Sequence, residues 1–480
     1  MKLIQKASKN EYVYLLLYTL FFILCIYRGV VILDPDFGWI LRMGKIILER
    51  GIPEKDPFSY TMSSYPFIAH QWLSEAIIAY LYRLIGGLGL AAVFAFLVVF
   101  SLFISVSRIA KTYKNWLVVP LFLAICILAD FVSIRPQIFS WVLVSVLIKL
   151  LFSDFKHKAL LTPIIFLGWV NLHGGFAAGF IILFLITACE VLENRKAVRE
   201  SAVTLALSFL ATIINPYGLR VWQEPIMTIT DRALSRYIVE WQSAVYISNF
   251  LFWIYLSFSA IFIVIYRRTF KLSEKAVFVF LLFSALSSKK QIPLFVLFSL
   301  PLLVYALSLF YAEAKKIKFG AIRFKRLYRY LSILVITLYI PFLIVLVQRL
   351  SLFKEEKFYP VKAVELLQEE YPGGRIFTLY EWSGYINWKL PKYKIFINGM
   401  MSIWRNHNQP NESPHALIEY RDILIGKKNF KDVIRKYGIT TILLPVKDNK
   451  SGDYSRLKSQ TISEGLSPVY KDNSAILYQK

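Results

Sequence analysis

The 480 residues are 57% hydrophobic and carry a formal net charge of +25. That apolar fraction exceeds the roughly 45–50% of soluble domains. Long apolar runs recur from residue 11 to about 349, which excludes a soluble class and indicates a polytopic α-helical membrane protein. The basic excess does not point to nucleic acid, because most of it lies in short loops between apolar runs, where it orients helices in a bilayer.

Lys2, Lys6 and Lys9 keep the N-terminus cytoplasmic, so the first apolar helix, about 12–33, runs outward. No Ala-x-Ala-like cleavage site follows it, and it reads as an uncleaved signal-anchor. An exterior loop then covers 34–87, opening with Asp34-Pro35-Asp36-Phe37-Gly38-Trp39. Asp34 suits an N-cap, Pro35 the first helical position, and Asp36 the positive end of a helix. Phe37, Ile40, Leu41, Gly44, Ile47 and Leu48 recur at helical spacing, with Arg42, Lys45 and Glu49 on another face. This predicts an interfacial helix up to Gly51. A second such helix fits Gln71 to about Ile85, too short to span and ended by Gly86-Gly87.

Ten more apolar helices follow, at about 88–107, 115–132, 136–152, 159–171, 175–191, 201–214, 248–266, 275–287, 292–310 and 330–349. Basic residues gather in alternate loops: Arg108, Lys111 and Lys114; Lys156 and Lys158; Arg195, Lys196 and Arg199; Arg267, Arg268 and Lys271. About 11 transmembrane helices with these loops inside place the tail outside. The expected domains are a transmembrane part, 1–350, whose first exterior loop is 34–87, and an extracytoplasmic α/β domain, 354–480. In the tail, helices fit 360–371, 414–426, 429–437 and 453–464. Strands fit 375–379, 393–397 and 440–444, with a closing pair over 467–478. Cys25, Cys126 and Cys189 all fall in apolar segments and read as small core residues, with no disulfide framework.

With sides assigned, Asp34, Asp36, His70, Glu75, Arg135, Asn171, His173, Asn215, Glu240, Lys289 and Lys290 all fall on the exterior side. Polar groups at membrane depth are costly, so this many at one face predicts an outward-opening polar cavity. Each also has a plainer reading. Arg135, Lys289 and Lys290 suit snorkelling anchors; His173, before Gly174-Gly175, suits a close helix contact; Asn215-Pro216-Tyr217-Gly218 suits a helix stop. Glu240 reads as a solvated loop acid, and Glu75 as an acid facing water from the second interfacial helix. His70 and His173 lack a zinc-motif spacing, so the sequence requires no cofactor, and a divalent metal stays open as a minor alternative without support.

In this order of motifs the chain resembles the GT-C superfamily of integral-membrane glycosyltransferases, which includes protein O-mannosyltransferases and lipid A aminoarabinose transferases. Counting back from Leu48-Glu49-Arg50-Gly51 by the family's interval puts its catalytic Asp on Asp36, while Phe37 stands where the family has a second acid. Asp34 is the nearby substitute. The chain is also similar to a bacterial subgroup with Asp-Pro-Asp-Phe-Gly-Trp, His-Gln-Trp-Leu-Ser-Glu (70–75), Arg-Pro-Gln (135–137), Asn-Leu-His-Gly-Gly (171–175) and Tyr-Glu-Trp-Ser-Gly-Tyr (380–385).

The resemblance implies inverting transfer of a sugar from a polyprenyl-phosphate donor to a glycan, lipid or protein acceptor, at the outer face of a bacterial cytoplasmic membrane. Asp36 would be the general base, and Arg135, Lys289 and His70 would face the donor phosphate. Lys290, Glu75, Asn171, His173 and Glu240 complete the candidate cavity. Tyr380, Trp382, Tyr385, Trp388 and Trp404 suit either sugar stacking or domain packing. The rival functions are a lipid-linked glycan carrier and a non-catalytic scaffold with an exterior binding domain.

Overall fold

The computed structural model describes residues 9–31, 34–109, 111–193, 198–247, 249–317, 320–351, 354–370, 373–406 and 409–480. Lys2, Lys6, Arg195 and Lys196, used above to assign sides, lie outside them. All eleven expected apolar segments are helical. Among the described residues five helices are long and apolar enough to cross a membrane: Tyr12–Val31, Trp72–Val106, Phe176–Glu193, Lys289–Ala314 and Ile322–Arg349. The chain is thus a multi-pass membrane protein. Four others, Val118–Phe131, Gln137–Leu151, Lys158–Leu172 and Phe250–Ile265, are apolar but shorter.

Contacts divide the chain into two compact units. One comprises Met1–Val30, Leu88–Pro225 and Ser235–Arg349; the other comprises Val31–Gly87, Ile226–Leu234 and Leu350–Lys480. Residues 34–87 therefore pack with the tail. The change of unit falls just after Gly86, whose φ of 68° and ψ of −174° interrupt the Trp72–Val106 run. A Cβ would strain that conformation, so glycine is the residue that allows the break.

The first unit is a helical bundle whose innermost member is Ile292–Ala314, buried on all sides over its first half, as a helix apolar all round must be. Pro301 lies inside it and cannot donate to the carbonyl one turn back. The Ser105 hydroxyl donates to that carbonyl, Leu297 O, instead. Outward, Leu334, Ile340, Ile344 and Val345 are more than half exposed along the last spanning helix, a surface suited to lipid contact.

The second unit is an α/β fold around a five-stranded sheet: β1 Gly374–Thr378, β2 Tyr393–Ile395, β3 Thr441–Pro445, β4 Ser467–Lys471 and β5 Ala475–Gln479. The order is β2-β1-β3-β5-β4. β1 runs parallel to both neighbours, with Ile376 opposite Ile395 on one side and Thr441 on the other. Ile376, Phe377, Ile442, Leu443 and Leu444 are fully buried, the near-continuous burial expected of parallel strands covered on both faces. β4 is an exposed edge carrying Pro468 and an irregularity before Tyr470, features that discourage further pairing.

The other edge is capped by the segment between the helices Phe37–Arg50 and Trp72–Val106. Ile395 N donates to Phe58 O (3.0 Å) and Tyr60 N to Ile395 O (3.1 Å). Glu412 then takes bonds from Ser64 N (2.7 Å), the hydroxyls of Ser63 and Ser64, and Asn406 Nδ2 (2.7 Å). Segment 226–234 joins the same unit through Asp231. Its Oδ1 accepts from the amides of Ala233 and Leu234, and its Oδ2 pairs with Arg405.

Candidate functional site

The candidates divide by unit: Asp34, Asp36, His70 and Glu75 belong to the second, and Arg135, Asn171, His173, Asn215, Glu240, Lys289 and Lys290 belong to the first. In the second unit the helix Phe37–Arg50 begins two residues later than expected, with Asp36 as its N-cap. Asp34 builds the turn before it. Its Oδ1 accepts from Asp36 N at 3.0 Å, and its carbonyl accepts from Phe37 N at 2.9 Å. Asp36 Oδ1 accepts from Trp39 Nε1 at 2.9 Å, so one turn of helix fixes the carboxylate at the helix's positive end.

Two close crossings hold this helix. Phe37, Gly38, Trp39, Ile40, Leu41, Met43, Gly44 and Ile47 are buried. A Cβ on Gly38 would lie 2.6 Å from the carbonyl carbon of Gly384, and one on Gly44 would lie 2.8 Å from Ala79 Cβ. Gly384 belongs to the helix Tyr380–Lys389, which was not expected from the sequence, and Ala79 to the helix that starts at Trp72. The apolar stripe predicted to face the membrane interface is therefore covered largely by protein, with Leu48 still 53% exposed.

Glu75, read above as a cavity residue or as an acid facing water, is 1% exposed. Its Oε1 accepts from Gln71 Nε2 at 2.9 Å, and its Oε2 is buried with no hydrogen-bond partner among the described residues. Gly44 backs onto the Glu75 carbonyl, which removes solvent from this turn. His70 sits half-buried in the turn that leads into the same helix, its N donating to Ile68 O at 2.8 Å.

Of the five tail aromatics, three are core. Trp382 Nε1 donates to Phe358 O (2.9 Å), the Tyr385 hydroxyl donates to Glu355 (2.9 Å), and Trp404 stacks on Tyr65 with centroids 4.6 Å apart. Trp388 meets Phe37 edge-on at 5.8 Å, and the Tyr380 hydroxyl bonds Ser402 (2.8 Å).

In the first unit, Arg135, Glu240 and Lys290 form one charged cluster. Arg135 Nη1 donates to Glu240 Oε1, and Lys290 Nζ lies 3.9 Å from Oε2. Burial alone would raise the Glu240 carboxyl, but Arg135 and Lys290 outweigh it and hold it below the usual range. Glu240 is thus a paired acid rather than the solvated one expected. Lys290 Nζ also lies 4.9 Å over the Trp241 ring, and Lys289 bonds Gln242 through its backbone N (3.0 Å) and Nζ (3.4 Å). The loop 239–243 is laid along 288–290 in this way, with two cations and a carboxylate beside one another.

Residues that the sequence did not single out support Arg135. Arg28 donates to the carbonyls of Ala129 and Asp130, both at 2.9 Å, and to that of Val132. Asn249 Nδ2 donates to Asp130 Oδ2 at 2.8 Å. Together they satisfy a helix C-terminus and so set the path of the segment leading to Arg135. Glu224, also unremarked, is 6% exposed, and burial pushes its carboxyl up to about 8.

His173 and Asn171 have structural partners. Trp169 Nε1 donates to Ser140 Oγ (2.7 Å), Ser140 Oγ lies 2.8 Å from His173 Nδ1, and Gly175 N donates to that Nδ1 (3.0 Å). A backbone N–H can only donate, so Nδ1 accepts and the neutral ring carries its proton on Nε2. Asn171 Nδ2 donates to Leu167 O (2.9 Å) and Ile214 O (3.0 Å), tying two helix ends together. Asn215 closes its turn on Thr212, Tyr217 and Gly218. Among the described residues no three His, Cys, Asp or Glu side chains group as a metal-binding set.

The fold has solved counterparts. The archaeal oligosaccharyltransferase AglB from Archaeoglobus fulgidus, in complex with an inhibitory peptide and a dolichol-phosphate, superposes with a TM-score of 0.63. The two are 11% identical over 98% of this chain and 74% of that one. The Archaeoglobus fulgidus oligosaccharyltransferase in its apo form gives a TM-score of 0.58 at 13% identity, over 92% of this chain and 70% of that one. Its complex with Zn and sulfate gives 0.57 at 14% identity, over 92% and 69%. No protein-family model and no curated protein matches the chain. At such identities the likeness is one of fold. The chain shares the fold of these archaeal oligosaccharyltransferases, in keeping with the resemblance to GT-C membrane glycosyltransferases drawn from the motifs.

Proposed function

We propose that this protein is an inverting glycosyltransferase that takes a sugar from a polyprenyl-phosphate donor, with Asp36 as general base. One observation carries the reading: 98% of the chain follows the fold of an oligosaccharyltransferase whose structure holds a dolichol-phosphate. In this account Asp36 takes the proton of the acceptor hydroxyl as the oxygen attacks the anomeric carbon, and the lipid phosphate leaves from the opposite face. A phosphate leaving group needs cations more than a protonating acid. In the first unit Arg135, paired with Glu240, suits a planar contact to a lipid phosphate, and Lys289 and Lys290 add point charge. Asp34 shapes the turn that presents Asp36, Glu75 braces the neighbouring helix, and His173 and Asn171 fix helix ends. The eleven apolar helices span the bacterial cytoplasmic membrane, and the first exterior loop and tail form one module outside it.

The test is transfer from polyprenyl-phosphate-linked sugars in proteoliposomes, with the anomeric configuration of the product read by NMR. Inversion with release of polyprenyl phosphate is expected. Movement of the intact lipid-linked sugar across the bilayer, with no bond broken, would make the protein a carrier and overturn the proposal.

A further inference from the structure

The end of the bundle remote from Arg135 carries a second cationic site. The helix Gln137–Leu151 begins two residues after Arg135 and ends beside Phe152; the helix Leu272–Ser287 begins beside Lys271 and ends just before Lys289. At those far ends Arg108, Lys149, Lys271 and Glu274 line a cavity of about 400 Å³. Three cations thus face one carboxylate. Basic residues that only orient helices in a membrane belong in water, and Lys149 and Lys271 are indeed exposed. Arg108 is different. Its guanidinium lies over the Phe152 ring at 5.2 Å and the Phe298 ring at 5.6 Å. Its Nη1 is buried and has no hydrogen-bond partner among the described residues. Glu274 makes no hydrogen bond to that Nη1, and its Oε2 accepts from Lys271 N at 3.0 Å and caps its own helix.

We propose that this cavity binds a phosphate group, held by the Arg108 guanidinium and flanked by Lys149 and Lys271. A guanidinium held against two aromatic rings presents its donors in one plane, the geometry that phosphate oxygens accept, and the two lysines contribute mobile charge at the mouth. A basic pocket between apolar helix ends also lies where a lipid headgroup can reach it. The site is independent of the donor reading given above.

The experiment is native mass spectrometry of the full-length protein in neutral detergent, titrated with phosphatidic acid, phosphatidylcholine or orthophosphate. Phosphatidic acid is expected to bind about tenfold more tightly than phosphatidylcholine, a difference of ~1.4 kcal/mol. The Lys149→Gln/Lys271→Gln variant, altered only at exposed positions, should lose that preference, and Arg108→Gln should lose it if it folds. Retention of phosphatidic acid against millimolar orthophosphate identifies a lipid headgroup; displacement by orthophosphate identifies soluble phosphate. Equal binding of the two lipids with no orthophosphate bound, or full preference kept in the double lysine variant, overturns the proposal.

Discussion

Gly38→Ala probes how the helix crossing sets the position of Asp36. The new Cβ would stand 2.6 Å from the carbonyl carbon of Gly384, against about 3.5–4.0 Å for carbon atoms in contact. The two backbones must therefore part by roughly 0.9–1.4 Å at a point two residues from Asp36. Overpacking of this size costs about 1–3 kcal/mol, and a unit of roughly 150–250 residues loses about 2–4 °C of Tm per kcal/mol. A misplacement near 1 Å lowers catalysis about a hundredfold. Gly168→Ala is the control: a Cβ there meets nothing within 4 Å, and alanine raises helix propensity. Thermal melts in detergent and sugar transfer in proteoliposomes read both variants. If Gly38→Ala melted and turned over like Gly168→Ala, the crossing would not be what positions Asp36.

Other variants test neighbouring parts of the account. Arg135→Ala should raise the KM for a lipid-phosphate donor by about tenfold, the size of a lost charge-assisted bond; unchanged donor affinity would remove Arg135 from the phosphate role. Glu224→Gln should stabilise the protein increasingly as pH rises. Its folded carboxyl titrates near 8 rather than at the ordinary 4.5, so the folded state binds the extra proton and wild-type stability falls across that interval, by up to a few kcal/mol. Parallel melting curves of the two proteins from pH 5 to 8 would refute this. Ser140→Ala should cost about 1–3 kcal/mol, because the buried Trp169 Nε1 loses its acceptor. An unaltered melt would show that the Trp169–Ser140–His173 chain contributes nothing to the fold.

How much could be read in advance differs from element to element. Apolar runs with basic loops mark helices directly, and the bundle followed them. In the tail, β3 and its neighbours were legible because Ile442, Leu443 and Leu444 form a short apolar run between turns. The Tyr380–Lys389 helix was not. Its Tyr-Glu-Trp-Ser-Gly-Tyr-Ile-Asn-Trp-Lys sequence is built largely of weak helix formers, and packing at Gly38 and Gly384 supplies what propensity lacks. The amphipathic stripe of Phe37–Arg50 announced a buried face without naming its cover, since period alone cannot distinguish protein from a membrane interface.

The site shows the same limit. Asp36 was prominent because two acids flank a proline at a helix start, yet which of them would be the cap depended on where the helix began. Asp34 turned out to accept from Asp36 N, which moves the cap by two residues. Glu240 read as a loop acid because Arg135 is 105 positions away, and no spacing rule links them. The Asp231–Arg405 pair, 174 positions apart, was equally silent.

The central claim is that the Asp36 carboxylate acts as the base in sugar transfer, and the most direct measurement is transfer by Asp36→Asn in proteoliposomes. Asparagine keeps an oxygen for Trp39 Nε1, so the account predicts a wild-type melt with activity lower by about a hundredfold to ten-thousandfold, the usual contribution of a general base. Near-normal transfer by the folded variant would contradict it.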